Sequence, residues 1–185
     1  MIEILECPFS NEIKGDLIKW FELEKTKEVS GYTLQTKEYN EPNTPEIKKL
    51  FDWIESVIVE VVDKLSNGSN SLYSNPNRWQ NKNFKIDAYW GLYYNSNSYV
   101  TPHSHFPHAV SFGYYINVPE GSSPFTLIIN EEENKNYFPK EGQLFVFDSS
   151  IKHTVNPTPV AGRTVIAGDI AYLSRFGYNK KTLNL

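Results

Sequence analysis

From Phe84 onward the chain is written in short runs of alternating apolar and polar residues, and this pattern leaves few folds open. A period of two marks a strand with one buried face. Phe84, Ile86, Ala88, Trp90, Leu92 and Tyr94 fall on one face of the first run. Further strands are predicted near 109–118, 125–130, 143–147, 151–155 and 163–173. Pro119, Gly121, Pro124, Pro139, Gly142, Pro157, Pro159 and Gly162 punctuate them. Many short strands with few helices between them imply an antiparallel sandwich or barrel. The 12 Tyr and 11 Phe suit such strands and a ring-lined pocket.

The N-terminal half reads differently. Ser10 or Asn11 can cap a helix that runs to about Glu24, with Ile13, Leu17, Trp20 and Phe21 on one side. A second helix has Thr44 as N-cap and Pro45 at its first position. Ile47, Leu50, Phe51, Ile54, Ile58, Val61, Val62 and Leu65 repeat along it at helical spacing, and Gly68 can stop it. One apolar stripe must be covered, and the outside of a sheet is the expected cover. Residues 32–38 read as an edge strand. The polar stretch 66–83, with Tyr73 and Trp79 embedded, reads as a surface loop or as a lid over a site.

A single domain over 1–185 is expected: a helical part and polar loop over 1–83, a β core over 84–175 and a tail over 176–185. Cys7 is the only cysteine, so no internal disulfide can form. Residues 1–17 have no signal-peptide core, and no apolar run has membrane-spanning length, which points to a cytoplasmic protein without membrane contact. A net charge of −4 gives no indication of nucleic acid as a partner. The sequence does not specify an oligomeric state; a homodimer is compatible with it. Neither a glycine-rich phosphate loop nor a serine nucleophile elbow is present.

The chemistry lies in the histidines. Three of the four fall in His103-Ser104-His105-Phe106-Pro107-His108, and His153 stands alone, ten residues before Arg163. On an extended segment His103 and His105 point to one face, where two imidazoles can chelate one ion. A third ligand must come from elsewhere, and His153 is the remaining distant histidine. His108 could take a ligand position, or it could lie beside the centre. Arg163 opens the strand after the one that carries His153. An arginine entering an apolar interior needs an anion, and its planar fork matches a carboxylate. Asp169 shares its strand face and could pair with it, or support a ligand imidazole. Asp148 and Asn156 are alternatives for that support. Tyr94, facing inward with Trp90 and Leu92, could meet a co-substrate carboxylate or a backbone group.

The run His103-x-His105, then His153, then Arg163 resembles the iron(II)/2-oxoglutarate-dependent oxygenase superfamily, which carries a His-x-Asp/Glu pair, a distal His and a later Arg. Tyr94-Asn95-Ser96-Asn97 is similar to its Tyr-x-x-Gly lead-in. Pro102-His103-Ser104-His105, Ser111-Phe112-Gly113-Tyr114-Tyr115 and the stretch from Gly142 to Phe147 resemble one subgroup. The resemblance covers roughly residues 84–175. It implies a double-stranded β-helix of jelly-roll or cupin-like form, with helices packed on one side. It implies Fe(II) held by His103, His105 and His153, 2-oxoglutarate bound by Arg163 and Tyr94, O2, and hydroxylation of an unidentified substrate. His105 stands where the family has a carboxylate, which leaves the centre one negative charge short. Arg163-Thr164-Val165 replaces the frequent Arg-x-Ser. Two other readings stay open: a cupin-like three-histidine metal enzyme without 2-oxoglutarate, and a non-catalytic jelly-roll binding module.

Overall fold

The computed structural model describes residues 2–29, 31, 33–67, 83–130 and 133–172. The expected Gly68 stop, all but the ends of the 66–83 loop and the 176–185 tail lie outside these residues.

Among the described residues, eleven strands and two helices follow in the order β1 (Ile2–Glu6), α1 (Ser10–Glu24), β2 (Lys25–Val29), β3 (Thr33–Thr36), α2 (Pro45–Asn67), β4 (Phe84–Tyr94), β5 (Val100–His103), β6 (Val110–Asn117), β7 (Phe125–Ile128), β8 (Asn134–Tyr137), β9 (Gln143–Asp148), β10 (Lys152–Val155) and β11 (Arg163–Tyr172). They form a seven-stranded sheet, β1-β9-β6-β11-β4-β3-β2, facing a four-stranded sheet, β5-β10-β7-β8. Every pairing is antiparallel. This is the expected double-stranded β-helix with helices on one side.

The core has two compartments. Between the sheets lie Tyr115, Phe125, Leu127, Phe145, Phe147, Val155 and Val165. Outside the large sheet, Ile13, Leu17 and Phe21 of α1 and Leu50, Ile54 and Ile58 of α2 pack in one cluster with Tyr89, Phe112 and Ile166 of the strands. The stripe on α2 is covered as its spacing requires. Thr44 caps that helix through its hydroxyl, which accepts from the Ile47 N–H at 3.2 Å. Gly91 lets α1 approach β4: a Cβ there would meet Phe21 Cδ2 at 2.6 Å.

The structure corrects four local expectations. The residue at the start of α1 is Phe9, with no side-chain cap, so neither Ser10 nor Asn11 serves. The strand within 32–38 is not at an edge: β2 covers β3, and β2 is the outermost strand on that side. The N-terminal half is not only helical, since β1, β2 and β3 extend the large sheet at both ends. The single face from Phe84 to Tyr94 is broken as well. Asp169 pairs with Ala88 and Ile170 with Ile86, so Asp87 is an extra residue that flips the alternation. Phe84 and Ile86 therefore join Tyr89 and Tyr93 on the helix side. Trp90, Leu92 and Tyr94 face the cavity between the sheets.

Candidate metal and anion site

Strand register brings the histidines together. His103 ends β5 and is the register partner of His153 on β10. His105 lies two residues past His103, where its N–H donates to the Ser149 carbonyl at 2.8 Å. The ligand atoms of His103, His105 and His153 all lie within 4.8 Å of one another.

Each ring has an acceptor facing Nδ1, which leaves Nε2 for the centre. For His103 the acceptor is the Thr101 carbonyl at 2.8 Å, and for His105 it is Asp169 Oδ2 at 3.1 Å. For His153 it is the Ile151 carbonyl at 3.5 Å. The Nε2 atoms of His103 and His105 are 3.1 Å apart. Two facing lone pairs at that separation repel unless a cation lies between them. Nitrogens ~2.1 Å from a shared ion and near right angles would be separated by ~3.0 Å. The donor set therefore fits a divalent metal.

Burial favours the neutral, ligating form of two of the three rings. It pushes the His153 pKa down to about 3, helped by His103 and His105 alongside. Burial likewise lowers that of His103. Phe125 and Phe147 pack on His153, and Trp90 stacks on His105 with ring centroids 5.6 Å apart and planes within 10°.

His108 lies apart from the three. Its Nδ1 faces the His105 carbonyl at 3.0 Å and its Nε2 faces Asp87 at 3.2 Å, so both nitrogens are engaged away from the cluster. Among the proposed supports for a ligand ring, Asp169 is the one that reaches. Asp148 instead accepts from Ser150 at the turn before β10, and Asn156 is exposed.

Arg163 begins β11, opposite Tyr94 in register. It is 1% exposed, and its guanidinium carries no acidic partner among the described residues. Its Nη1 donates to the Ser123 carbonyl at 2.7 Å and its Nη2 to the Tyr115 hydroxyl at 3.3 Å. Its Nε has no partner. Tyr94 and Tyr115 flank the guanidinium, with ring centroids 5.0 and 5.1 Å away. Burial raises the pKa of both phenols, and the cation opposes the rise; Tyr115 reaches about 12. A full positive charge held among neutral groups with one N–H unused could receive an anion.

Both features belong to one cavity of about 370 Å³. The three histidines line it, as do Arg163 and Tyr94, and the exposed lining residues are Glu38 and Thr101. Along β11, Arg163 and Asp169 are six residues apart, a span of ~20 Å at the rise of an extended strand. A cavity of this size suits a small acid. Sequence reasoning missed Tyr115, Ser123 and Ser111. Tyr115 and Ser111 lie within a quoted motif, but their roles depend on cross-strand neighbours that no local pattern specifies.

No protein-family model matches the sequence, and no curated protein matches it. Solved structures do match in fold. A Pseudomonas putida prolyl-4-hydroxylase superposes with a TM-score of 0.66 at 13% identity, covering 92% of this chain and 91% of that one. An oxidoreductase of the 2OG-Fe(II) oxygenase family from Burkholderia pseudomallei gives a TM-score of 0.69 at 10% identity, covering 97% and 87%. A Trichoplax adhaerens prolyl hydroxylase, solved with a hypoxia inducible factor peptide fragment, gives 0.63 at 15%, covering 91% and 82%. The chain thus has the double-stranded β-helix that these oxygenases share. Among its described residues no helix is long and apolar enough to cross a membrane.

Proposed function

We propose that the protein is an Fe(II)- and 2-oxoglutarate-dependent oxygenase, most simply a hydroxylase. The observation that carries this reading is the pairing, in one cavity, of three converging histidine nitrogens with a buried arginine whose Nε has no partner. His103, His105 and His153 would hold the iron. Arg163 would bind the distal carboxylate of 2-oxoglutarate, with Tyr94 and Tyr115 flanking it. When bound, these groups supply oxidising chemistry: O2 is consumed, 2-oxoglutarate is converted to succinate and CO2, and one oxygen atom passes to the substrate.

The chain's own part is positioning and exclusion. The acceptors facing each Nδ1 fix the ring tautomers. Phe125, Phe145, Phe147 and Val165 keep the interior dry, which strengthens the interaction between Arg163 and an anion. The hydrogen bonds to Ser123 and Tyr115 hold the guanidinium before the co-substrate arrives, so its orientation costs little on binding.

Anaerobic titration tests this. The Fe(II)-loaded protein should develop a visible charge-transfer band on adding 2-oxoglutarate, and Arg163→Ala should lose it. No band and no succinate under O2 overturns the reading. The all-nitrogen donor set favours a second reading, a cupin-like metal enzyme that acts on its substrate without 2-oxoglutarate. Iron binding without the band, together with O2 uptake on addition of a substrate, would select it.

A further inference from the structure

Asp169 is a buried acid with no cation of its own. It is 5% exposed, and no lysine or arginine pairs with it among the described residues. Its Oδ1 accepts from the Ser111 hydroxyl at 2.6 Å, and its Oδ2 faces His105 Nδ1 at 3.1 Å. Ser111 is its register neighbour on β6, so the carboxylate is fixed on two sides. His108 Nδ1 is farther, at 3.7 Å. Burying a lone carboxylate is costly unless a positive charge compensates it.

The complementary deficit lies on the other side of the His105 ring. A dication held by three neutral imidazoles carries its full charge into a half-buried site. Asp169 is the carboxylate that reaches a ring of the cluster directly. A hydrogen bond from an imidazole to a carboxylate makes the ring a stronger donor at its other nitrogen. It also passes part of the negative charge towards the metal.

We infer that Asp169 is a positioning residue that serves as the anion of this metal centre, acting through His105 rather than by coordination. The inference rests on the proposed metal-binding reading. The couple Asp169–His105 behaves as one ligand: the carboxylate sets the ring as the Nδ1–H tautomer, aims Nε2 at the ion and offsets its charge. Ser111 keeps the carboxylate in place. Asp87 faces His108, which lies apart from the cluster, and serves as the comparison.

The test uses Co(II) as the probe, followed by its visible spectrum, in wild type and in Asp169→Asn, Ser111→Ala and Asp87→Asn. Asp169→Asn keeps shape and removes charge; it should weaken Co(II) binding by about 10–100-fold. In the iron-loaded form it should raise the Fe(III)/Fe(II) potential, because lost negative charge disfavours the ferric state most. Ser111→Ala should weaken binding in the same direction by a smaller factor, and it carries the test if Asp169→Asn does not fold. Asp87→Asn should leave the affinity within about twofold. Wild-type affinity in both Asp169→Asn and Ser111→Ala overturns the inference, as does an equal loss in Asp87→Asn. A shift in thermal stability with unchanged affinity and potential would assign Asp169 a structural role only and also overturn it. Failure of wild type itself to bind Co(II) is a different outcome: it removes the metal-binding reading on which the inference stands.

Discussion

His103 and His153 stand directly opposite each other across the antiparallel β5–β10 pair, with ring centroids 4.3 Å apart. Two strands far apart in sequence thus bring two imidazoles together, and His105, two residues on, joins them in a group that could hold one ion. The arrangement depends on all three rings.

Removal of His153 should therefore abolish metal binding. In wild type, divalent metal at 100 times its Kd should stabilise the fold by about 2.7 kcal/mol, because it binds the native state alone. His153→Ala should lose this stabilisation entirely, as read by thermal unfolding with and without Co(II). An unchanged metal-dependent shift would mean that His153 is not a ligand.

The buried guanidinium leads to an asymmetric expectation. Arg163→Met keeps much of the side-chain volume and removes a charge that has no acid nearby. Fe(II) affinity should stay within a few-fold of wild type, whereas 2-oxoglutarate affinity should fall by at least 100-fold, as read by anaerobic titration. The co-substrate-free variant should be as stable as wild type or more so, since replacing a buried uncompensated charge by an apolar group is often neutral or favourable.

Acid should destabilise the metal-free protein ahead of general carboxylate titration. Folded His153 titrates near pH 3 because burial penalises its charged form, against 6.5 for a free imidazole. Between those values the unfolded chain binds the proton and the folded chain does not. Stability is thus fully present above pH 6.5 and is lost as the pH falls towards 3, by on the order of 5 kcal/mol for the whole shift. Urea unfolding from pH 7 to pH 4 should show the decline, and it should be much smaller in His153→Gln.

Packing of the helices on the large sheet gives the last expectation. A methyl group at Gly91 would overlap Phe21, whose ring has little room to move in the α1–β4 contact. Gly91→Ala should cost about 1–3 kcal/mol by overpacking. Ile54→Ala, in the middle of the α2 stripe, should cost about 2–5 kcal/mol by leaving a cavity. Chemical denaturation measures both, and metal affinity should change in neither.

The structure follows the sequence most closely where the physics is local. The α2 stripe and its Thr44 cap follow from spacing of 3.6 residues and from one hydroxyl. Asn97, in the glycine place of the Tyr-x-x-Gly lead-in, has φ of 65°, a left-handed backbone that asparagine tolerates. The Asp87 bulge was invisible because a bulge is defined against a partner strand, and the sequence does not say that β4 pairs with β11. The same reason hid Ser111 behind Asp169 and Tyr115 behind Arg163, each pair joined across neighbouring strands.

By itself the sequence determined the two helices, most strands of the β core, the β-rich class and the residue types able to bind a metal and an anion, because side-chain periodicity and donor chemistry are properties of short segments. The tertiary structure alone decided which histidines converge, that His108 faces Asp87, that Asp169 faces His105 and that Arg163 is left with an unused N–H. These depend on strand register and sheet closure, where one residue of slip carries a side chain to the opposite face.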